Sequence, residues 1–258
     1  MDNIKNIIFK DNIDEYNKLL EFHNRKKELL NLKELCNKTP YVIEFTGTPR
    51  TGKTTLINNI YDFFKKGGFD VKIIEEFTTS KKYKEEIYPL FKNNEKKYIN
   101  FEIPKYVLNQ LIEQINNNPD IIIVDRCLFD RLIWVDRLYK KEGINSIEYD
   151  EYKNIYLPNI KDKINIIIAT YADAIVSLKR DYMANLSLEE RRFLNEQNIS
   201  EYNEALLNMK ELSIKENINL SLFNTNDKTQ REISFEVIDN ILNDMKSFYL
   251  EKNKIKKR

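Results

Sequence analysis

Apolar residues recur along the chain in short blocks separated by longer amphipathic stretches, and this alternation lays out the elements. Blocks at residues 41–45, 71–75, 121–124, 164–169 and 219–223 predict five strands. The third and fourth are unbroken apolar runs, the pattern of strands buried on both faces. Helical spacing is predicted over 11–36, 53–66, 82–92, 101–116, 128–141, 172–182, 188–212 and 232–248. Gly67-Gly68 and Gly143 close two of these helices, and Pro89 should kink or end another. Strands separated by helices need crossover connections, so the predicted class is α/β, a five-stranded, mainly parallel sheet covered by helices on both faces. Residues 39–250 are expected to form that domain, residues 1–38 an N-terminal helical extension and residues 251–258 a basic tail. The extension has a weak apolar stripe of Tyr16, Leu19, Leu20, Leu29 and Leu30. It could pack on the domain, pair with a second copy or dock a partner. It holds no predicted strand, so its removal is expected to leave a folded domain.

Composition narrows the classes. The chain has 258 residues, 41% hydrophobic and 32% charged, which suits a globular fold with a sizeable core. Its 42 basic and 41 acidic residues leave a net charge of +1, which disfavours a general nucleic-acid or membrane-surface binder. Only two cysteines, Cys36 and Cys127, and one histidine, His23, are present. They exclude a disulfide framework, a multi-histidine metal centre and a serine-histidine triad. No apolar run approaches the roughly 18 residues that suggest a membrane span, and residues 1–12 lack the apolar core of a signal peptide. A cytoplasmic setting is expected.

One motif carries specific chemistry. Gly47-Thr48-Pro49-Arg50-Thr51-Gly52-Lys53-Thr54 fits G-x-x-x-x-G-K-[ST], with a strand before it and a helix after it. Glycines let such a loop wrap phosphate oxygens closely with inward amide N–H groups, and the helix N-terminus adds positive potential. With Thr55 these residues are the expected ATP site. Lys53 would bridge the terminal phosphates, and the Thr54 hydroxyl would ligate Mg²⁺. The third strand delivers Asp125 as the second Mg²⁺ ligand, followed at once by Arg126.

Many proteins share such a loop, so the remaining charged residues must decide the chemistry. Arginine is scarce here, ten against a large excess of lysine, and three arginines accompany motifs: Arg50, Arg126 and Arg180. Arginine offers phosphate a planar fork that lysine cannot. Arg131 and Arg137 are expected to be surface or ion-pair residues. Arg191 and Arg192 could face either solvent or the site. Glu75-Glu76 ends the second strand, where ligands of a doubly wound sheet gather, so a glutamate there could take a proton from a substrate hydroxyl or bind a sugar hydroxyl. Cys127 is read as a small packing residue.

On these residues the chain, over about 41–248, resembles the thymidylate kinase and deoxynucleoside kinase group of P-loop kinases. The landmarks come in the group's order: Gly47–Thr55, Glu76, Asp125-Arg126, Arg180 and the segment 219–224. The resemblance implies a P-loop NTPase fold and a thymidylate-kinase-like phosphotransferase using ATP and Mg²⁺. It makes Glu76 a strand-end base, Arg126 the arginine holding the acceptor's phosphate or 5′ end, and Lys179-Arg180 with the helix from Leu188 a lid over ATP. Lys53, Glu76, Asp125, Arg126 and Arg180 are thus the expected catalytic set, with Thr54 and Asp125 on the metal. Pro49 stands where thymidylate kinases commonly carry an acid, and Phe77 replaces the proline expected after Glu76. The acceptor, a (deoxy)nucleoside or a nucleoside monophosphate, stays open, as does a homodimer. The alternatives are a kinase of another small acceptor, or a P-loop ATPase or nucleotide switch coupled to a protein partner. A GTPase is disfavoured because no Asn-Lys-x-Asp base reader occurs. A AAA+ motor is disfavoured because no second helical subdomain follows.

Overall fold

The computed structural model describes residues 12–256 except 37, 82, 88, 90–95 and 186–193. Its order is α1 (Ile13–Leu35), β1 (Tyr41–Gly47), α2 (Lys53–Lys65), β2 (Val71–Ile74), a 3₁₀ turn (Phe77–Thr79), α3 (Lys96–Asn116), β3 (Ile121–Asp125), α4 (Leu128–Lys140), α5 (Ser146–Lys163), β4 (Ile166–Tyr171), α6 (Ala174–Asn185), α7 (Glu196–Glu216), β5 (Leu220–Asn224) and α8 (Gln230–Lys256). The five strands form one sheet in the order β2-β3-β1-β4-β5. Every pairing is parallel, so the expected "mainly parallel" sheet is parallel throughout.

Strand side chains alternate between faces, and the alternation divides the core in two. Val42, Ile122, Val124, Ile167 and Ala169 face α3, α4, α5 and α7, where Leu111, Leu132, Tyr156 and Leu206 cover them. Tyr41, Ile43, Phe45, Ile123 and Ile168 face α1, α2 and α8, which supply Phe22, Ile60, Phe64, Val237 and Ile241. Burial on both faces explains the unbroken apolar runs of β3 and β4. Parallel pairing brings the C-terminal ends of all five strands to one edge, where the motif residues meet.

Two expectations need correction. First, α5 was not predicted, because Pro158 and a polar composition hide it. Its buried residues, Tyr152, Tyr156 and Ile160, still recur at helical spacing, and Asn145 with Glu148 forms a capping box at its start. Second, α1 buries Phe22, Lys26 and Leu29 against the core, whereas Leu20 of the expected stripe is 45% exposed. The helix lies against α8, with Arg25 bonded to Asp239 and Lys26 to the carbonyl of Phe63 at 2.8 Å. That packing argues against the expectation that its removal leaves a folded domain. Of the two roles expected for Arg131 and Arg137, surface or ion pair, both take the ion pair and neither is superficial. Arg131 faces Asp130, and Arg137 lies over Trp134 and bonds Glu201 at 2.8 Å. Arg191 and Arg192 lie outside the described residues, as do Lys82, Lys92 and the start of the helix predicted from Leu188. The first six residues of the expected basic tail continue α8.

Glu201 joins α4 to α7 through Lys141 and Arg137. Hydrogen bonds from Lys141 and Arg137, chiefly Lys141, lower its pKa from 4.5 to about 2. A carboxylate depressed on folding adds stability that is present above pH 4.5 and lost as pH falls toward about 2. Thermal melts taken across that window should show a loss that Glu201→Gln flattens. An unchanged slope in the variant would assign the acid sensitivity to other carboxylates.

Candidate active site

The loop between β1 and α2 takes its shape from backbone that few residues tolerate. Gly47 has φ +141 and Gly52 φ +84, and a Cβ at Gly47 would overlap the Thr170 carbonyl of β4. Gly52 lies just as close to Gln230 of α8, whose amide donates to the Gly52 carbonyl at 3.2 Å. Arg50, at φ 62, adds a third left-handed residue. Left-handed residues in such a loop let backbone amides turn toward an anion. The loop's own hydroxyls brace it. Thr51 bonds the Thr48 carbonyl at 3.0 Å and the Thr170 hydroxyl at 2.7 Å, and Thr48 donates to Asn203 at 2.6 Å.

Lys53 opens α2, is 8% exposed and donates to Asp125 at the end of β3. Burial, then the neighbouring Arg126, lowers the Lys53 pKa, and Asp125 opposes that shift. Burial raises Asp125, and Lys53 opposes in turn. Each group thus opposes the effect of burial on the other. Thr54 and Thr55 are exposed at the first turn of α2. A hydroxyl and a carboxylate are hard oxygen donors, so Thr54 and Asp125 fit Mg²⁺ by their chemistry. Among the described residues no group of three or more His, Cys, Asp or Glu is placed to hold a metal.

Arg126 is the hub. It has φ 60, and its amide donates to the Phe45 carbonyl at 2.8 Å. Its guanidinium donates to the Gly47 carbonyl and to Asp130, both at 2.9 Å, and its Nε lies 3.3 Å from Glu76. Burial works against its charge, but Asp130, Tyr202, Glu76 and Asp125 outweigh burial and raise its pKa. Asp130 is wholly buried and also accepts from Tyr202 at 2.6 Å and Thr46 at 2.7 Å. Burial alone would raise Asp130, yet Arg126 and Arg131 bring its pKa below the ordinary value.

Lys53, Asp125, Arg126 and Glu76 thus gather at one edge of the sheet. Arg180 does not join them in this state. It reaches from α6 to the Thr225 hydroxyl at 3.0 Å, the Thr225 carbonyl at 2.5 Å and the Arg50 carbonyl at 3.4 Å. Arg50 is likewise engaged, with Asp181 at 2.6 Å. These two arginines tie α6 and the turn after β5 to the phosphate loop. Sequence reasoning missed Thr170, Asn203 and Gln230, which brace the loop from distant elements, and Tyr202, which bonds Asp130 and Thr46. No local motif marks them.

A groove of about 280 Å³ runs beside Glu76, lined by Ile73, Phe77, Ser80, Gln110 and Gln114 among others. A larger cavity of about 590 Å³, lined by Tyr139, Gly143, Ile144 and Glu148, lies some three turns along α4 from Arg126, remote from this chemistry.

The AAA domain family model matches residues 42–205. No curated protein matches the chain. Three solved structures of a deoxyadenosine kinase from M. mycoides are similar to it, each at 21% identity. The form with bound dATP gives a TM-score of 0.54 over 79% of this chain and 99% of that one. The form with the products dCMP and a flexible dCDP gives 0.55 over 78% and 98%, and the form with dCTP gives 0.53 over 78% and 98%. At this identity the likeness is one of fold. The family match spans the phosphate loop, Asp125-Arg126 and most of the sheet, and with it the chain belongs to the AAA domain family, in the fold of the P-loop deoxynucleoside kinases.

Proposed function

We propose that the chain is an ATP-dependent phosphotransferase that moves the γ-phosphoryl group to the hydroxyl of a (deoxy)nucleoside or to a nucleoside monophosphate. One observation carries the reading: Glu76 is held against Arg126, whose guanidinium also grips the phosphate loop, so a strand-end carboxylate stands beside the place where a terminal phosphate would lie. The groove beside Glu76 offers space for an acceptor next to that carboxylate. The deoxyadenosine kinase neighbours, solved with dATP, dCTP or dCMP, support a deoxynucleoside as the acceptor class. Cys36 and Cys127 are both buried, and a reducing, cytoplasmic setting suits buried thiols. No described helix is long and apolar enough to cross a membrane.

In this mechanism the loop amides and Lys53 bind the β- and γ-phosphates, and Lys53 leaves Asp125 to do so. Thr54 and Asp125 would hold Mg²⁺, which supplies charge neutralisation between the phosphates. Glu76 accepts the proton of the acceptor hydroxyl, and the phosphoryl oxygens face Arg126. Arg180 and Arg50 close α6 over the nucleotide by exchanging some of their present carbonyl and carboxylate partners for phosphate.

The test is ADP release from ATP and Mg²⁺ against a panel of nucleosides and nucleoside monophosphates. Stimulation by one base class is expected. Glu76→Gln should cut that stimulated rate by about a hundredfold or more while ATP still binds. ADP release indifferent to every acceptor would overturn the reading in favour of a partner-coupled ATPase.

A further inference from the structure

Glu44 takes no part in the chemistry above, yet it is the one carboxylate on β1 and is fully buried. It points from the strand to the face that carries α4 and α7. There α4 begins with a defect: Cys127 occupies the N-cap and makes no side-chain cap hydrogen bond. Glu44 supplies the missing acceptors. One of its oxygens accepts the amides of Cys127 and Asp130, each at 2.9 Å, and the other accepts the amide of Phe129 at 3.1 Å. In a capping box two local side chains share this work, the N-cap side chain accepting an amide of the first turn and the N3 side chain accepting the N-cap amide. Here one carboxyl from a neighbouring strand does both. Burial pushes Glu44 up to about 8, while the three amides pull the other way.

The capped residues are the ones that hold the hub. Arg126 directly precedes the cap in a left-handed conformation, and Asp130, its ion-pair partner, is the N3 residue whose amide Glu44 accepts. If the first turn of α4 frays, both ends of the Arg126–Asp130 bridge move. We infer that Glu44 is a positioning residue, which holds Arg126 at the phosphate loop by capping α4 from β1. Its consequence for turnover rests on the proposed phosphotransfer. Its consequence for the Arg126 side chain does not.

The test uses the full chain. Glutamine at position 44 keeps the shape but replaces one acceptor oxygen with an amide NH₂ that faces backbone N–H. The nitrogen-detected Nε–H resonance of Arg126, identified by its loss in Arg126→Lys, should shift or broaden in Glu44→Gln while those of Arg25 and Arg231 stay put. Turnover should fall about tenfold to a hundredfold, with KM for ATP within about twofold. In the Arg126→Lys background the same change should add less than about threefold, because the group it positions is already gone. Adding Cys127→Ser, which gives α4 its own capping hydroxyl, should move the resonance back toward wild type. An unmoved Arg126 resonance, or losses that multiply in the double variant, would overturn the inference. If wild type transfers no phosphoryl group, the functional reading fails and the resonance still decides the role of Glu44. Should Glu44→Gln not fold, Glu44→Asp, one methylene short of the amides, is expected to show the same displacement. A chain that folds with neither replacement makes Glu44 a folding residue and sinks the positioning role.

Discussion

Replacement of Lys53 by alanine is expected to abolish ATP turnover while the chain stays folded. Lys53 begins α2 and is nearly buried, and the ammonium meets the carboxylate that ends the adjacent strand. No other lysine lies in the phosphate loop, and Arg50 is paired with Asp181 while Arg126 holds the Gly47 carbonyl and Asp130. The ammonium is a cation set at the loop's own end, and a charge aimed at a developing phosphoryl charge in a dry site is among the largest contributions to catalysis. A loss of about a thousandfold or more follows. The fold should tolerate the change, because Asp125 is already raised by burial and can protonate once its partner is gone. ADP release and a thermal melt on the same sample check both halves. Wild-type-like turnover in this variant would remove the loop from the mechanism.

Deletion of residues 1–36 is expected to abolish cooperative folding. Phe22 and Leu29 are each 1% exposed, and they pack into the core cluster beneath β1, α2 and α8. Phe22 meets Phe63 and Phe235 edge-on, with ring centroids 6.3 and 5.8 Å apart. Full burial of each such side chain is worth about 1.5–3 kcal/mol, before counting the facing surface of α8 that the deletion would bare. Against a typical total stability of about 5–15 kcal/mol, several kcal/mol is enough to unfold or aggregate the remainder. Phe22→Ala should reproduce part of the loss, about 3–5 kcal/mol by denaturant titration. A truncated chain that melts cooperatively near the wild-type temperature would show that α1 is an appendage after all.

The two largest effects differ in how visible they were. Lys53 could be found from eight consecutive residues, because a phosphate loop is a local device: its turn, its glycines and its helix start are contiguous. The role of α1 could not. Its apolar residues are sparse and broken by charge, and the stripe read from periodicity included exposed Leu20 and omitted Phe22. Only the apposed face of α8 decides which side of such a helix is buried, and α8 lies some 200 residues away in the chain. The helix α5 was missed for a different reason: its capping box and the spacing of Tyr152, Tyr156 and Ile160 are local signals, but Pro158 and the polar composition mask them.

The site divides in the same way. Asp125 and Glu76 were legible because parallel strands deliver their last residues to one edge, so a carboxylate at a strand end is placed by topology alone. Arg126 was legible as a site residue, but its engagement with Gly47, Asp130 and Glu76 was not. Arg180 was expected over ATP, and in this state it instead secures the turn after β5.

The sequence by itself determined the strand-helix alternation, the phosphate loop and the two strand-end carboxylates, because hydrophobic periodicity and backbone permissiveness act over a few neighbouring residues. The tertiary structure alone decided the strand order, the burial of α1, and the network that runs from Glu44 through α4 to Asp130 and Arg126. Burial is the physical reason. A carboxyl such as Glu44 in the middle of an apolar strand reads as a fault until the three amides that satisfy it, more than 80 residues away, are brought beside it.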